Sequence, residues 1–129
     1  MLSKAPVREN AAVTLNGAVF KAIVADTPAS RERGLSGSKP LASDEAMLFV
    51  FEIPDDVGFW MKDMNYSIDI VWLDANMKVI HIEKDVAPET YPTVFYPEGA
   101  ALYVLEFSAG TADRIGLKLG DIASASGGK

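Results

Sequence analysis

Asp69 opens the run Ile68-Asp69-Ile70-Val71-Trp72-Leu73, and Glu106 sits in Tyr103-Val104-Leu105-Glu106-Phe107, so each carboxylate enters a strand face among large apolar residues. Burial raises the pKa of such a group and a nearby cation lowers it. The pair could therefore hold one protonated and one ionised carboxyl, which is what general acid/base chemistry in a hydrolase or lyase would need. Ion pairing with Lys62, Arg33 or Arg114 would account for the same placement without chemistry, and this is the preferred reading. The sequence leaves open whether the two carboxylates face the same side of a sheet.

Both tryptophans lie in Gly58 to Asp74. Trp60 and Lys62, two apart on a strand, would share a face, where a cation beside an indole could form a platform for a sugar or peptide. The plainer and preferred alternative has Trp60 in the core, with the aliphatic stem of Lys62 laid over it. Lys84 to Gly99 carries Pro88, Pro92 and Pro97 together with Tyr91, Phe95 and Tyr96, so it reads either as one wall of a groove or as a lid packed over the domain. Trp60, Lys62, Tyr91 and Tyr96 are the candidate ligand-binding residues.

His81, Glu83 and Asp85 alternate along a strand and resemble the His-x-Glu pair of cupin metal sites. Those sites need further histidines and this chain has one, so a solvated strand face is expected, with no metal and no cofactor. There is no Gly-x-Ser-x-Gly elbow and no phosphate-binding glycine loop. The absence of cysteine excludes disulfides, iron–sulfur clusters and thiol nucleophiles.

The elements that must position these residues are mostly short strands. Val13–Leu15 and Val19–Ala25 flank Asn16-Gly17, a dipeptide suited to a tight hairpin. Thr27-Pro28 and Gly34 bracket a short helix over residues 28–33. Ala46–Phe51, Ile68–Leu73, Met77–Glu83 and Ala101–Phe107 read as strands, the second of them central, and Ser108 caps a short helix over 109–115 before Leu117–Ala123 closes the domain. Pro54-Asp55-Asp56 reads as a turn. Roughly six to eight strands, two short helices and no βαβ rhythm predict a mainly β fold, an antiparallel jelly-roll-like sandwich or partly open barrel. Residues 1–10 and 124–129 read as flexible tails around a single domain over 11–123.

The chain has 129 residues, 49% of them apolar, and a net charge of −6 from 12 basic and 18 acidic residues. A chain this long buries roughly two-thirds of its unfolded surface and needs no staple to fold. An acidic balance argues against nucleic acid and anionic membrane as partners. The longest apolar run, Ala46 to Phe51, is far short of a membrane span, so no membrane insertion is expected. The polar opening Met1 to Asn10 lacks a signal-peptide core. An exported protein would have had its targeting segment removed from this chain.

Arg33-Gly34-Leu35, Met47-Leu48-Phe49-Val50-Phe51, Phe59-Trp60-Met61-Lys62, Ile68-Asp69-Ile70, Val79-Ile80-His81-Ile82, Tyr103-Val104-Leu105-Glu106, Ala109-Gly110 and Gly120-Asp121 form an ordered series. In that series the chain resembles the uncharacterised bacterial and archaeal family known as domain of unknown function 192, over most of residues 13–122. The chain departs from that pattern at Ser36, where the family has methionine, and at Asp63, where asparagine is usual. The resemblance implies a jelly-roll-like sandwich with short helices, often found in exported proteins, and no established reaction.

The preferred functional expectation is a soluble, monomeric or weakly dimeric binding or accessory module of the cell envelope. It would recognise a glycan, peptide or small organic ligand through Trp60, Lys62, Tyr91 and Tyr96. Alternatives are an enzyme acting through Asp69 and Glu106, and a protein-interaction domain using its sheet edges. The charge balance predicts no binding to duplex DNA or RNA at physiological salt; submicromolar, salt-dependent shifts in a gel assay would contradict it.

Overall fold

The computed structural model describes residues 11–127. Ala11–Leu15 (β1) and Ala18–Ala25 (β2) form the expected hairpin, with Asn16 and Gly17 both at positive φ in the turn. Pro28–Arg33 (α1) starts in a reciprocal cap. The Thr27 hydroxyl accepts from the Ser30 N–H and the Ser30 hydroxyl from the Thr27 N–H, which satisfies donors that a helix start leaves open. Glu45–Asp55 (β3) then returns alongside β2 in parallel, so Pro54 and Asp55 lie within a strand rather than a turn. β2, α1 and β3 thus make a crossover unit, because the helix and the residues after it carry the chain back to the end of the sheet where β2 began.

The remaining elements are Ile68–Leu73 (β4), Val79–Val86 (β5), Ala101–Ser108 (β6), Thr111–Arg114 (α2) and Ser124–Gly127 (β7). The strands form one mixed sheet in the order β5-β4-β6-β3-β2-β1-β7, mainly antiparallel and not closed into a barrel. Residues 124–127, read from the sequence as tail, pair with β1 as β7, while residues 1–10 and 128–129 lie outside the described residues. No helix among the described residues is long and apolar enough to cross a membrane.

Alternation along the strands makes both sheet faces apolar. One face gathers Val13 and Leu15 of β1, Phe20 of β2, Leu105 and Phe107 of β6, Val71 and Leu73 of β4 and Val79 of β5 into a single cluster. Strands from both ends of the sheet meet there, so the sheet curls around this core. The C-terminal segment spans the gap: Ala123 N–H donates to the Met77 carbonyl and Gly120 N–H to Val79, just before β7 joins β1. The Lys118 N–H donates to the Asp121 carboxylate and Asn16 Nδ2 donates to it at 2.9 Å, bonds that hold the Asp121 pKa below the usual carboxylate value. The opposite face carries Met47, Phe49, Ile70, Trp72 and Val104, covered by Leu35 and Met61 from the connecting segments.

Asp69 lies fully buried on the inner face of the curl, and no cation pairs with it among the described residues. Its Oδ1 accepts the Asp85 N–H at 2.8 Å and the Gly110 N–H at 3.4 Å, and its Oδ2 accepts the Ala112 N–H at 2.8 Å. The expected salt bridge is therefore replaced by backbone donors, and the helix cap assigned to Ser108 is supplied by a strand 41 residues and more away in sequence. A bulge in β5, with Asp85 at φ 51°, turns the Asp85 N–H toward the carboxylate. The same bulge breaks the expected row of His81, Glu83 and Asp85.

Asp69→Ala is expected to strand these buried donors and cost about 3 kcal/mol, with Asp69→Asn intermediate because an amide oxygen accepts some of the bonds. Denaturant midpoints check this; a value within error of wild type for the alanine variant would contradict it.

Candidate functional site

Glu106 projects from the opposite face of the sheet. In the β4–β6 ladder Ile70 faces Glu106 and Asp69 faces Phe107, so the two carboxylates are separated by the sheet itself and form no pair. Met47 flanks Glu106 on its other side. The side chain is 6% exposed, yet no hydrogen bond or ion pair reaches its carboxyl among the described residues. The expected basic partner is absent, and burial alone pushes the Glu106 pKa up to about 8.

Glu106 lines a cavity of about 510 Å³ that opens to solvent between α1 with the residues just after it and the segment over residues 57–64. Arg31 anchors the helical wall. Its guanidinium donates to the Val50 carbonyl at 2.9 Å, pairs with Glu52 at 3.2 Å and lies over the Phe51 ring at 5.1 Å. Gly34 ends α1 at φ 51°, where a Cβ would also press on the Phe49 ring at 3.4 Å.

The other wall is an irregular segment, and the strand expected to carry Trp60 and Lys62 is absent. Trp72, the fully buried tryptophan, donates its indole N–H to the Val57 carbonyl at 2.8 Å. Phe59 exchanges backbone bonds with Phe95 at 2.8 and 2.9 Å, which docks the proline-rich loop against this wall. Gly58 leaves room for the docking: a Cβ there would stand 2.6 Å from Val94 and 2.7 Å from Tyr96. Lys62 and Asp63 form a turn, with Asp63 at φ 60°, a conformation asparagine and aspartate tolerate better than most residues. Ser36 Oγ donates to the Lys62 carbonyl at 3.2 Å, and the Tyr66 hydroxyl meets Ser38 Oγ at 2.9 Å, so the walls are tied together.

Trp60 is 45% exposed rather than core, with the Lys62 ammonium 5.8 Å from its ring. Both residues line the cavity. Tyr91, which does not line the cavity, lies against Trp60 with ring centroids 5.1 Å apart and the planes tilted by 55°, and Tyr96 packs over Gly58; both are exposed. His81 lies elsewhere, bonded to Glu83 at 2.8 Å and packed against Trp72. Among the described residues no group of three or more His, Cys, Asp or Glu side chains is placed to hold a metal ion. Sequence reasoning missed the Arg31 clamp, although its position one residue before Glu32-Arg33 in the last turn of a short helix marked it as a candidate for capping or bridging.

The molecule is thus a curled, mainly β domain with an open groove on its outer face and a lone carboxyl at the floor. The family model for DUF192, described as an uncharacterised ACR, matches residues 11–124, and the chain belongs to that family. It is 30% identical over 103 residues to a UPF0127 protein of Thermococcus sibiricus, a match covering 76% of this chain and 61% of that protein's length. Among solved structures it resembles a protein of unknown function from Novosphingobium aromaticivorans, with 30% identity, a TM-score of 0.82 and coverage of 95% of this chain and 91% of the other. A second, from Sinorhizobium meliloti and described as a candidate transcription regulator, is 26% identical with a TM-score of 0.83, covering 97% of each chain.

Because the folded-state pKa of Glu106 lies above the ordinary 4.5, the folded protein binds this proton more tightly than the unfolded chain. The contribution of Glu106 is therefore fully present below pH 4.5 and is lost as pH rises from 4.5 to about 8, by at most on the order of 5 kcal/mol. Glu106→Gln is expected to remove this slope and to be more stable than wild type at pH 8. Urea melts of both proteins at pH 5 and pH 8 test this, and parallel pH profiles would contradict it.

Proposed function

We propose that this protein is a small non-catalytic binding module whose groove takes a small organic ligand, with Trp60 and Lys62 at the mouth and Glu106 at the floor. The observation that carries this reading is Glu106, a residue 6% exposed whose carboxyl has no partner among the described residues and lines an open cavity of about 510 Å³. Its oxygens have no protein partner among the described residues and open onto the cavity, so a molecule that enters there can take the place of water on them. The volume suits a drug-sized molecule or one or two residues or sugar rings rather than a macromolecular surface. Trp60 offers a half-exposed ring for a ligand to pack on, and the tilted contact with Tyr91 helps hold it in place.

A hydrolase or lyase acting through Asp69 and Glu106 loses its footing, since the two carboxylates face opposite sides of the sheet. The description of the Sinorhizobium relative as a candidate transcription regulator belongs to that protein. For this chain a net charge of −6 makes the phosphate backbone a poor partner.

A fragment library of sugars, short peptides and organic acids, followed by ¹⁵N-resolved NMR, is expected to shift the Trp60 indole resonance and leave that of Trp72 in place. Trp60→Ala should weaken any such binder about five-fold, the loss of one aromatic contact worth about 1 kcal/mol. Hits confined to the β5 or β7 edge, with Trp60 silent, would overturn the proposal in favour of strand pairing with a protein partner.

A further inference from the structure

The charges around the groove narrow the ligand class, on the reading that the groove binds a small molecule. α1 and the facing turn bring Arg31, Arg33 and Lys62 to this one cavity, beside the exposed carboxylates of Glu32 and Asp63. Arg31 is committed to Val50 and Glu52. Arg33 and Lys62 are exposed and make no ion pair among the described residues, so their charge is available to a ligand. The walls between mouth and floor are aromatic, with Phe59 and Trp60 on one side and Phe49 and Phe51 below α1, a setting that favours a flat apolar body.

We infer that the groove selects a small planar organic acid, whose anionic group pairs with Arg33 and Lys62 at the mouth and reaches the Glu106 carboxyl in the cavity wall. A neutral carboxyl carries one O–H donor, and an anion is the acceptor that strengthens such a bond most. An ionised Glu106 would instead repel the anion in a site of low dielectric, so anion and proton enter the bound state together. The charged groups that face Glu106 across the cavity are Arg31, Glu32 and Arg33 from α1 and Lys62 and Asp63 from the turn, while its strand neighbours Met47 and Ile70 carry no charge.

Benzoate and its neutral isostere benzamide are the probes, titrated at pH 6.5 and 9.0 with the Trp60 indole as reporter and spectral dispersion as the check that the fold persists. Benzoate is expected to bind more tightly than benzamide at pH 6.5. It should weaken about ten-fold at pH 9.0, as the protonated fraction of a group titrating near pH 8 falls. Benzamide should respond little to pH. Glu106→Gln, which keeps a neutral donor at the floor, should hold benzoate equally at both pH values, and Arg33→Ala with Lys62→Ala should abolish the preference for benzoate. Equal binding of the two probes, or a Trp60 response to sugars or peptides but to neither probe, would overturn the ligand class while the groove reading stands. Silence of Trp60 toward every compound would overturn both. A pH dependence that survives in Glu106→Gln would assign it to Lys62 or another group and overturn the role given to Glu106.

Discussion

A carboxylate carried into an apolar sheet face must be surrounded by donors or lose its charge, and this constraint organises the molecule because adjacent strands place one such group on each face. Asp69 meets it in the first way. Its three backbone donors come from the β5 bulge, from the turn after β6 and from the first turn of α2, so one side chain fixes three segments that are remote in sequence. A carboxylate accepting backbone N–H groups at a helix start also complements the partial positive charge there. The inner core, the docking of α2 and the twist of β5 follow from satisfying that group.

Glu106 meets the constraint in the second way, and the outer face is arranged around its lack of partners. The groove stays open above it because both walls are pinned to something else. Arg31 ties α1 to the backbone of β3, the Trp72 indole holds Val57, and the Phe59–Phe95 bridge fastens the opposite wall to the proline-rich loop. The Ser36 and Tyr66 hydroxyls join the two walls below the mouth. Collapse of α1 onto Glu106 would bury more apolar surface but would break these bonds, which are worth about 1 kcal/mol each and more where a charged group takes part. An open cavity over an unsatisfied polar group is therefore stable against closure.

Much of the fold was legible in the sequence because it depends on local signals. Asn16-Gly17 gives a hairpin, Thr27-Pro28 a helix start, and alternating apolar residues gave most of the strands at nearly their observed limits. The parallel β2–β3 pairing was not, since the helix between them was recognised but its consequence for strand direction depends on where the chain returns in space. Nor were the backbone partners of Asp69, or the lack of any for Glu106 among the described residues. Strand alternation correctly marked both as inward-pointing, but which face each occupies depends on the register of β4 against β6, which no local pattern encodes. Trp60 misled for a related reason: its apolar neighbours suggested a core strand, while the turn at Lys62-Asp63 and the missing Cβ at Gly58 direct the chain along the surface.

The contrast between the carboxylates also bears on why a destabilising one occupies the groove floor. A glutamine or leucine at position 106 would avoid the cost of desolvating a charge, and neither would disturb a partner, because none exists among the described residues. Costs of this kind are commonly kept at functional sites, and here the cost falls in the wall of the groove proposed to take a ligand. A ligand that binds the protonated form adds its binding free energy to the folded state and raises the pH at which Glu106 gives up its proton. Occupancy and protonation at Glu106 are then two readings of one equilibrium, and each must shift the other by the same factor.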